Sequence, residues 1–226
     1  MITSAGPSSN IDTKPKAILF DWDNTLVDSW PVIQDALNIT LTTYGLEPWT
    51  LAETKERVRK SMRDSFPALF GDQWEVAGEV FYERYAAIHI EKIEPIDHVA
   101  DLLASLHAEG VYLSIVSNKK GEYLRQEARH LGWDRYFNHL VGALDAPQDK
   151  PALAPVSMAL EGSGLAPGRD VWFVGDADID MECAIKTGCV PVLIRSEEPK
   201  TGEFLDYPPE WHFPDCLSLC KHLQNM

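Results

Sequence analysis

From residue 17 onward the chain alternates short apolar runs with stretches of helical period. Ala17 to Phe20, Val111 to Val116, Leu140 to Ala143, Val171 to Val174 and Val190 to Ile194 are each of strand length and end at polar or glycine-containing turns. Four of these five runs lie after residue 110. Between the later ones, apolar residues recur at helical spacing: Leu124, Ala128 and Leu131 before Gly132, Val156 and Leu160 before Gly162, and Ile179, Cys183 and Ile185 before Gly188. Strands alternating with helices predict an α/β fold, a Rossmann-like parallel sheet covered by helices on both faces.

Residues 31 to about 92 break that rhythm, with three helical patterns and no convincing strand. Asp28 and Ser29 precede Pro31 as a helix start, and Val32, Ile33, Ala36, Leu37 and Leu41 form one apolar face that ends at Gly45. A second helix is expected from Leu51 to Met62 and a third from Trp74 to His89. The expected organisation is a flexible tail over residues 1–15, a core domain from 16–30 and 94–226, and an all-helical cap domain over 31–93 inserted after the first strand.

Composition narrows the class of partner. The chain has 226 residues, 45% hydrophobic and 24% charged, and 35 acids against 20 lysines and arginines leave a net charge of −15. Nucleic acids and anionic membranes are held largely by basic residues, so neither is expected as a partner. No run approaches the ~20 apolar residues of a membrane span. The first fifteen residues lack the apolar stretch of a signal peptide, and a cytoplasmic monomer or homodimer is expected. Cys183, Cys189, Cys216 and Cys220 form no C-x-x-C pair and are read as reduced thiols. Cys216 and Cys220, four apart near His212 and His222, fit helix packing better than zinc.

The acids are not evenly spread. The first strand runs into Asp21-Trp22-Asp23-Asn24-Thr25, and strand alternation sends Asp21 and Asp23 to the same side, roughly 6–7 Å apart. Two carboxylates at the C-terminal end of a parallel strand, where α/β ligands bind, repel each other unless a cation or a shared proton intervenes. A second cluster, Asp176, Asp178 and Asp180, follows the strand ending at Gly175. One acid suffices to cap the helix that starts there, and hard oxygen ligands in excess of that suit Mg²⁺. Between the clusters, Ser117 and Asn118 end another strand, and Lys150-Pro151 lies in a polar loop before a helix.

Taken in order, Asp-x-Asp-x-Thr, Ser-Asn, Lys-Pro and Gly-Asp-x-x-x-Asp resemble the motifs of the haloacid dehalogenase superfamily, over roughly residues 16 to 196. Asp-Asn-Thr-Leu-Val-Asp-Ser at 23–29 and Lys-Pro-Ala-Leu-Ala-Pro at 150–155 look most like its phosphoglycolate phosphatases. Two departures are Asn24, where glycine is usual, and Ala177-Asp178, where a small polar residue is more common at 177. The resemblance implies a Mg²⁺-dependent phosphatase acting on a small phosphorylated metabolite, 2-phosphoglycolate first, through an aspartyl phosphate. It assigns Asp21 as nucleophile and Asp23 as acid and base. Thr25, Ser117 and Asn118 would hold the phosphoryl group, with Lys150 neutralising its charge. It also implies a metal site of Asp21, Asp23 through its backbone carbonyl, Asp176 and Asp180, the last orienting Lys150 or a metal-bound water.

Other readings share parts of this pattern. A phosphomutase of the same fold keeps the second acid but commonly has valine where Thr25 stands. A phospho-acceptor signalling module also clusters acids, a hydroxyl and a lysine, yet orders them differently and has no 60-residue insertion. Residues 55–63 hold five of the 20 basic residues. A solvated helix face paired with Glu53 and Glu56 accounts for them, as does a substrate reader, for which Arg59 and Arg63 are the candidates. Trp74, Phe81, Tyr82 and Tyr85 are expected as helical core packing.

Overall fold

The computed structural model describes residues 14–58 and 62–226. The expected flexible tail therefore lies outside the described residues except for its last two positions, and Lys14 there pairs with Glu109. The centre of the molecule is β1 (Ala17–Phe20), four residues with no exposed surface. Such a run belongs in the middle of a parallel sheet, where both faces are covered. Ile18 and Phe20 join one apolar cluster with Leu102, Leu103, Leu124 and Leu219, while Ala17 and Leu19 join another with Val156, Phe173 and Cys183. The two-residue alternation of one strand thus divides the core into two layers.

Among the described residues six strands form the sheet, in the order β5-β4-β1-β6-β7-β8, every neighbouring pair parallel. They are β4 (Tyr112–Lys120), β5 (His139–Ala143), β6 (Val171–Gly175), β7 (Val190–Ile194) and β8 (Trp211–Phe213) with β1. The helices α5 (Val99–Ala108), α6 (Gly121–His130), α7 (Leu153–Ala159), α8 (Asp178–Thr187) and α9 (Cys216–Gln224) cover its faces. All five expected strands are present. β8 adds a sixth, a three-residue edge strand lying between Pro209 and Pro214, too short to show alternation. Cys216 packs in the core and Cys220 against it, and Asp215 caps their helix by accepting from the Ser218 amide at 2.7 Å.

Between β1 and β4 the chain leaves the sheet. Two short strands, β2 (Val27–Asp28) and β3 (Glu94–Pro95), pair antiparallel and bracket, among the described residues, four helices: α1 (Trp30–Thr43), α2 (Leu51–Arg57), α3 (Met62–Phe70) and α4 (Trp74–Lys92). The sequence pattern predicts three. Its second helix is shorter than expected and ends at Arg57, and α3 carries Pro67 in its interior, which masks a helical period. Thr50 and Glu53 form a reciprocal capping box that starts α2. Among the described residues no helix is long and apolar enough to cross a membrane.

The insert is fastened internally by Asp35 on α1. Its carboxylate takes hydrogen bonds from Arg84 on α4 at 2.6 and 3.1 Å and from Lys92 at 2.7 Å. The bond from Arg84, then that from Lys92, holds its pKa down at about 2, below the ordinary 3.8. A depressed carboxylate stabilises the folded state above its unfolded pKa and loses that contribution as pH falls through the folded one. Asp35→Asn should therefore lower the urea midpoint at pH 7, with the gap to wild type closing as pH falls from about 4 towards 2. A gap unchanged at pH 2 would mean that the carboxylate charge is not what fastens α1 to α4.

Candidate active site

β1, β4 and β6 are adjacent in the sheet, with Phe20 opposite both Ile115 and Val174. The residues that follow them therefore emerge side by side at the C-terminal edge, where strand order reverses about β1. β4 loses register with β5 between Val116 and Lys120, which frees Ser117, Asn118 and Lys119 from the ladder. Just beyond β1, Asn24 adopts a left-handed conformation with φ of 61°. Asparagine visits that region more readily than other non-glycine residues, so the turn accommodates it, and its Oδ1 accepts from the Ser29 amide at 3.3 Å.

Lys150 sits at the centre. Its ammonium, almost wholly buried, donates to Asp21 Oδ1 and Asp180 Oδ1, both at 2.7 Å. The other oxygen of Asp180 accepts from the Ala177 amide at 3.1 Å, so the carboxylate is oriented from both sides. Gly175 makes room for it: a Cβ there would stand 2.3 Å from Asp180 Cγ. Asn118 holds the lysine's own backbone, its Oδ1 accepting from the Lys150 amide at 2.9 Å and its Nδ2 donating to the Lys150 carbonyl at 3.4 Å.

Asp21, Asp176 and Asp180 each present a carboxylate oxygen within 4.8 Å of the others. Thr25 Oγ1 donates to Asp176 Oδ1 at 3.3 Å. Burial, opposed by Lys150 and reinforced by Asp180 and Asp23, pushes Asp21 up to about 6. Burial, then Asp180 and Asp21, pushes Asp176 well above the usual carboxylate range. Burial works to lower the pKa of Lys150, but Asp180 and Asp21 outweigh it and hold the ammonium charged. Three acids around one lysine leave a surplus of negative charge in a buried place, which is the electrostatic and ligand chemistry that a hard divalent cation satisfies. Asp178 is not part of the group. It is exposed in the first turn of α8, where its Oδ1 accepts from the Ile179 amide at 3.0 Å.

Asp23, two residues from Asp21, has a different cation. Lys119 Nζ lies 2.6 Å from its Oδ1, and the Ser29 hydroxyl donates to the same oxygen. Lys119 in turn pairs with Glu127 on α6 at 2.5 Å. Glu127 has no exposed surface and also receives Trp22 Nε1 at 2.7 Å, the Tyr85 hydroxyl at 3.0 Å and His89 Nδ1 at 2.9 Å. Burial would raise its pKa, but Lys119 and the hydrogen bonds from His89, Lys119 and Trp22 hold it below the usual value. One carboxylate thus joins the loop after β1, the end of β4, and α4 of the insert. The motif reading misses this cluster. Its trace in the sequence is an acid at 127 inside the apolar stripe of Leu124, Ala128 and Leu131.

The structure thus gathers Asp21, Asp23, Thr25, Ser117, Asn118, Lys150, Asp176 and Asp180 at one edge, and all but Thr25 line a single cavity of about 210 Å³. Phe81, Tyr82 and Tyr85, expected as packing, line that cavity too. Arg59 lies outside the described residues, as does the side chain of Arg63.

A parallel α/β protein with carboxylates and a buried lysine at the switch point of its sheet has a site at the place where this class of fold binds its ligands. The family model described as haloacid dehalogenase-like hydrolase matches residues 18–194, and the chain belongs to that family. It is 32% identical to a phosphoglycolate phosphatase of Xylella fastidiosa, over 96% of this chain and 93% of the relative. A phosphoglycolate phosphatase of Aquifex aeolicus is 31% identical, over 79% of this chain and 84% of the other. A solved haloacid dehalogenase-like hydrolase from Streptococcus pneumoniae superposes with a TM-score of 0.81 at 25% identity, covering 92% of this chain and 98% of that one. The chain is accordingly an enzyme of the phosphatase kind.

Glu127→Leu leaves Lys119, His89, Tyr85 and Trp22 without their buried acceptor, and should cost about 3–5 kcal/mol in a urea unfolding experiment. A loss under about 1 kcal/mol would show that these donors find other partners as readily.

Proposed function

We propose that the enzyme hydrolyses a phosphomonoester with the help of Mg²⁺, through a phosphoryl group carried on Asp21. The observation that carries this reading is the pair of neighbouring carboxylates with separate cations: Asp21 on Lys150 at 2.7 Å, Asp23 on Lys119 at 2.6 Å. Two like groups held in different surroundings can take different roles in one reaction.

In the first step an oxygen of Asp21 forms a bond to phosphorus as the bond to the ester oxygen breaks, and Asp23 delivers a proton to the departing alkoxide. In the second, Asp23 takes a proton from water, which attacks phosphorus and releases Asp21. The sum is ester plus water giving alcohol plus inorganic phosphate. Lys150 offsets charge on Asp21 and the transferring group, and Asp180 keeps its ammonium aimed. Ser117, which lines the cavity, would donate to a phosphoryl oxygen; Thr25, expected beside it, is buried outside the cavity and donates to Asp176 instead, so its part is to hold that carboxylate. Asn118, bonded to the backbone of Lys150, serves by holding that loop.

Asp21 and Asp176, with the backbone carbonyl of Asp23, would hold Mg²⁺. Both oxygens of Asp180 are engaged, by Lys150 and the Ala177 amide, which suits it to orienting them more than to direct ligation. The ion, when bound, screens the repulsion between carboxylate and phosphate and fixes the in-line geometry. The names of the relatives make 2-phosphoglycolate the first ester to assay.

Phosphate release from a panel of phosphomonoesters, with Mg²⁺ and with excess EDTA, tests the reading. Asp21→Asn should lower kcat by about 10³-fold or more, the scale on which loss of a nucleophile is felt. Full turnover in EDTA or in the Asn variant would end the proposed mechanism. Transfer between sugar phosphates without release of inorganic phosphate would indicate a mutase instead.

A further inference from the structure

The cavity over Asp21 and Lys150 does not stop at the phosphoryl site. It continues into the helical insert, where its wall includes Leu37, Trp49, Val58, Phe66, Leu69 and Phe81. Leu37 and Phe66 are buried and the other four half-buried, and all six belong to one apolar cluster of the insert. We propose that the enzyme's preferred substrate is a phosphomonoester of a bulky apolar alcohol, aromatic in the first instance, whose hydrocarbon part occupies this wall. The proposal rests on the phosphatase reading above and names the leaving group that reading leaves open.

The alternative is a short anionic leaving group such as glycolate, whose carboxylate would lie where the insert faces the phosphate. A buried carboxylate needs charged or hydrogen-bonding partners there. Among the described residues the cations that the insert contributes to the cavity are Lys55 and Arg57. Each is engaged with an aromatic ring: Lys55 stands 5.7 Å from the centroid of Trp30, and Arg57 stands 4.6 Å from that of Trp49 while pairing with Glu53 at 3.4 Å. Lys120, on the core side, lies against Tyr82 and Tyr123 at 5.2 and 5.4 Å and 3.7 Å from Glu122. A carboxylate set against Leu69 and Phe66 would give up its water for hydrocarbon. A phenyl or branched alkyl group there gains by the same exchange, and one methylene in an apolar pocket is worth about tenfold or more in kcat/KM.

Alkyl phosphates with unactivated leaving groups separate pocket binding from leaving-group reactivity. With wild-type enzyme and Mg²⁺, kcat/KM should rise at least about tenfold from methyl through butyl to 2-phenylethyl phosphate, and the last should exceed 2-phosphoglycolate. Leu69→Ala should cut turnover of the phenylethyl ester about tenfold with methyl phosphate little changed, and Val58→Ala should do the same should Leu69→Ala fold poorly. Leu69→Arg should move selectivity towards 2-phosphoglycolate. A flat alkyl series, or 2-phosphoglycolate ahead of every alkyl ester, would overturn the inference while leaving the phosphatase reading intact. No phosphate released from any ester would sink both.

Discussion

The organisation of the site follows from one buried ammonium. Lys150 touches Asp21 and Asp180 at equal distance, and Asp176 lies close to both acids. Without that cation, three carboxylates from two strand ends would be a destabilising cluster in a place with little water. With it, two of them are fixed in position, while the third, Asp176, takes a hydrogen bond from Thr25 and has its pKa raised by burial and by the other two. The chain invests in the placement of this lysine: Asn118 grips its backbone from β4, and Gly175 clears the space in which Asp180 lies over the end of β6. Each contact comes from a different strand, so the parallel sheet is what makes the arrangement possible.

This reverses the first meaning of the chain's acidity. A charge of −15 disfavours polyanionic partners that spread over a surface. For a single phosphoryl group the relevant quantity is local, and the acids at the sheet edge are matched to Lys150 and Lys119. The insert adds a second kind of environment to the same cavity, aromatic and aliphatic, so that charge handling and recognition of the remaining substrate fall to different parts of the chain.

Much of this was legible in the residues. The five main strands of the sheet are built on apolar runs, Ser114 in β4 being a buried exception, because both faces are covered, and such runs stand out against polar turns. The motif acids, Ser117 and Lys150 converge because each follows a strand end. Short pairings were not legible: β2 and β3 have two residues each, and β8 three. α3 was hidden by Pro67, and α5, with Leu102, Leu103 and Leu106 turned to the core, lay in a stretch with no motif to draw the eye. Asp178 was grouped with its neighbours by spacing, but a helix turns successive residues about 100° apart, and it faces solvent. The partner of Asp23 was missed for a different reason. Lys119 and Glu127 are adjacent only after α6 folds back along β4, and Tyr85 and His89 arrive from a separate segment some forty residues earlier.

That last cluster bears on how such an enzyme can change its preferences over generations. Tyr85 and His89 are committed to Glu127, and through Lys119 to the carboxylate of Asp23, so that stretch of α4 is tied to the chemistry. Val58, Leu69 and Trp49 have no such tie, since their side chains meet the cavity and the interior of the insert. Substitutions can accumulate on that side and reshape the chamber while the reacting groups stay as they are. The insert is thus divided along its own thickness into a floor bonded to the reacting groups and a roof that is not, so a change in the roof would reshape the chamber without moving the chemistry.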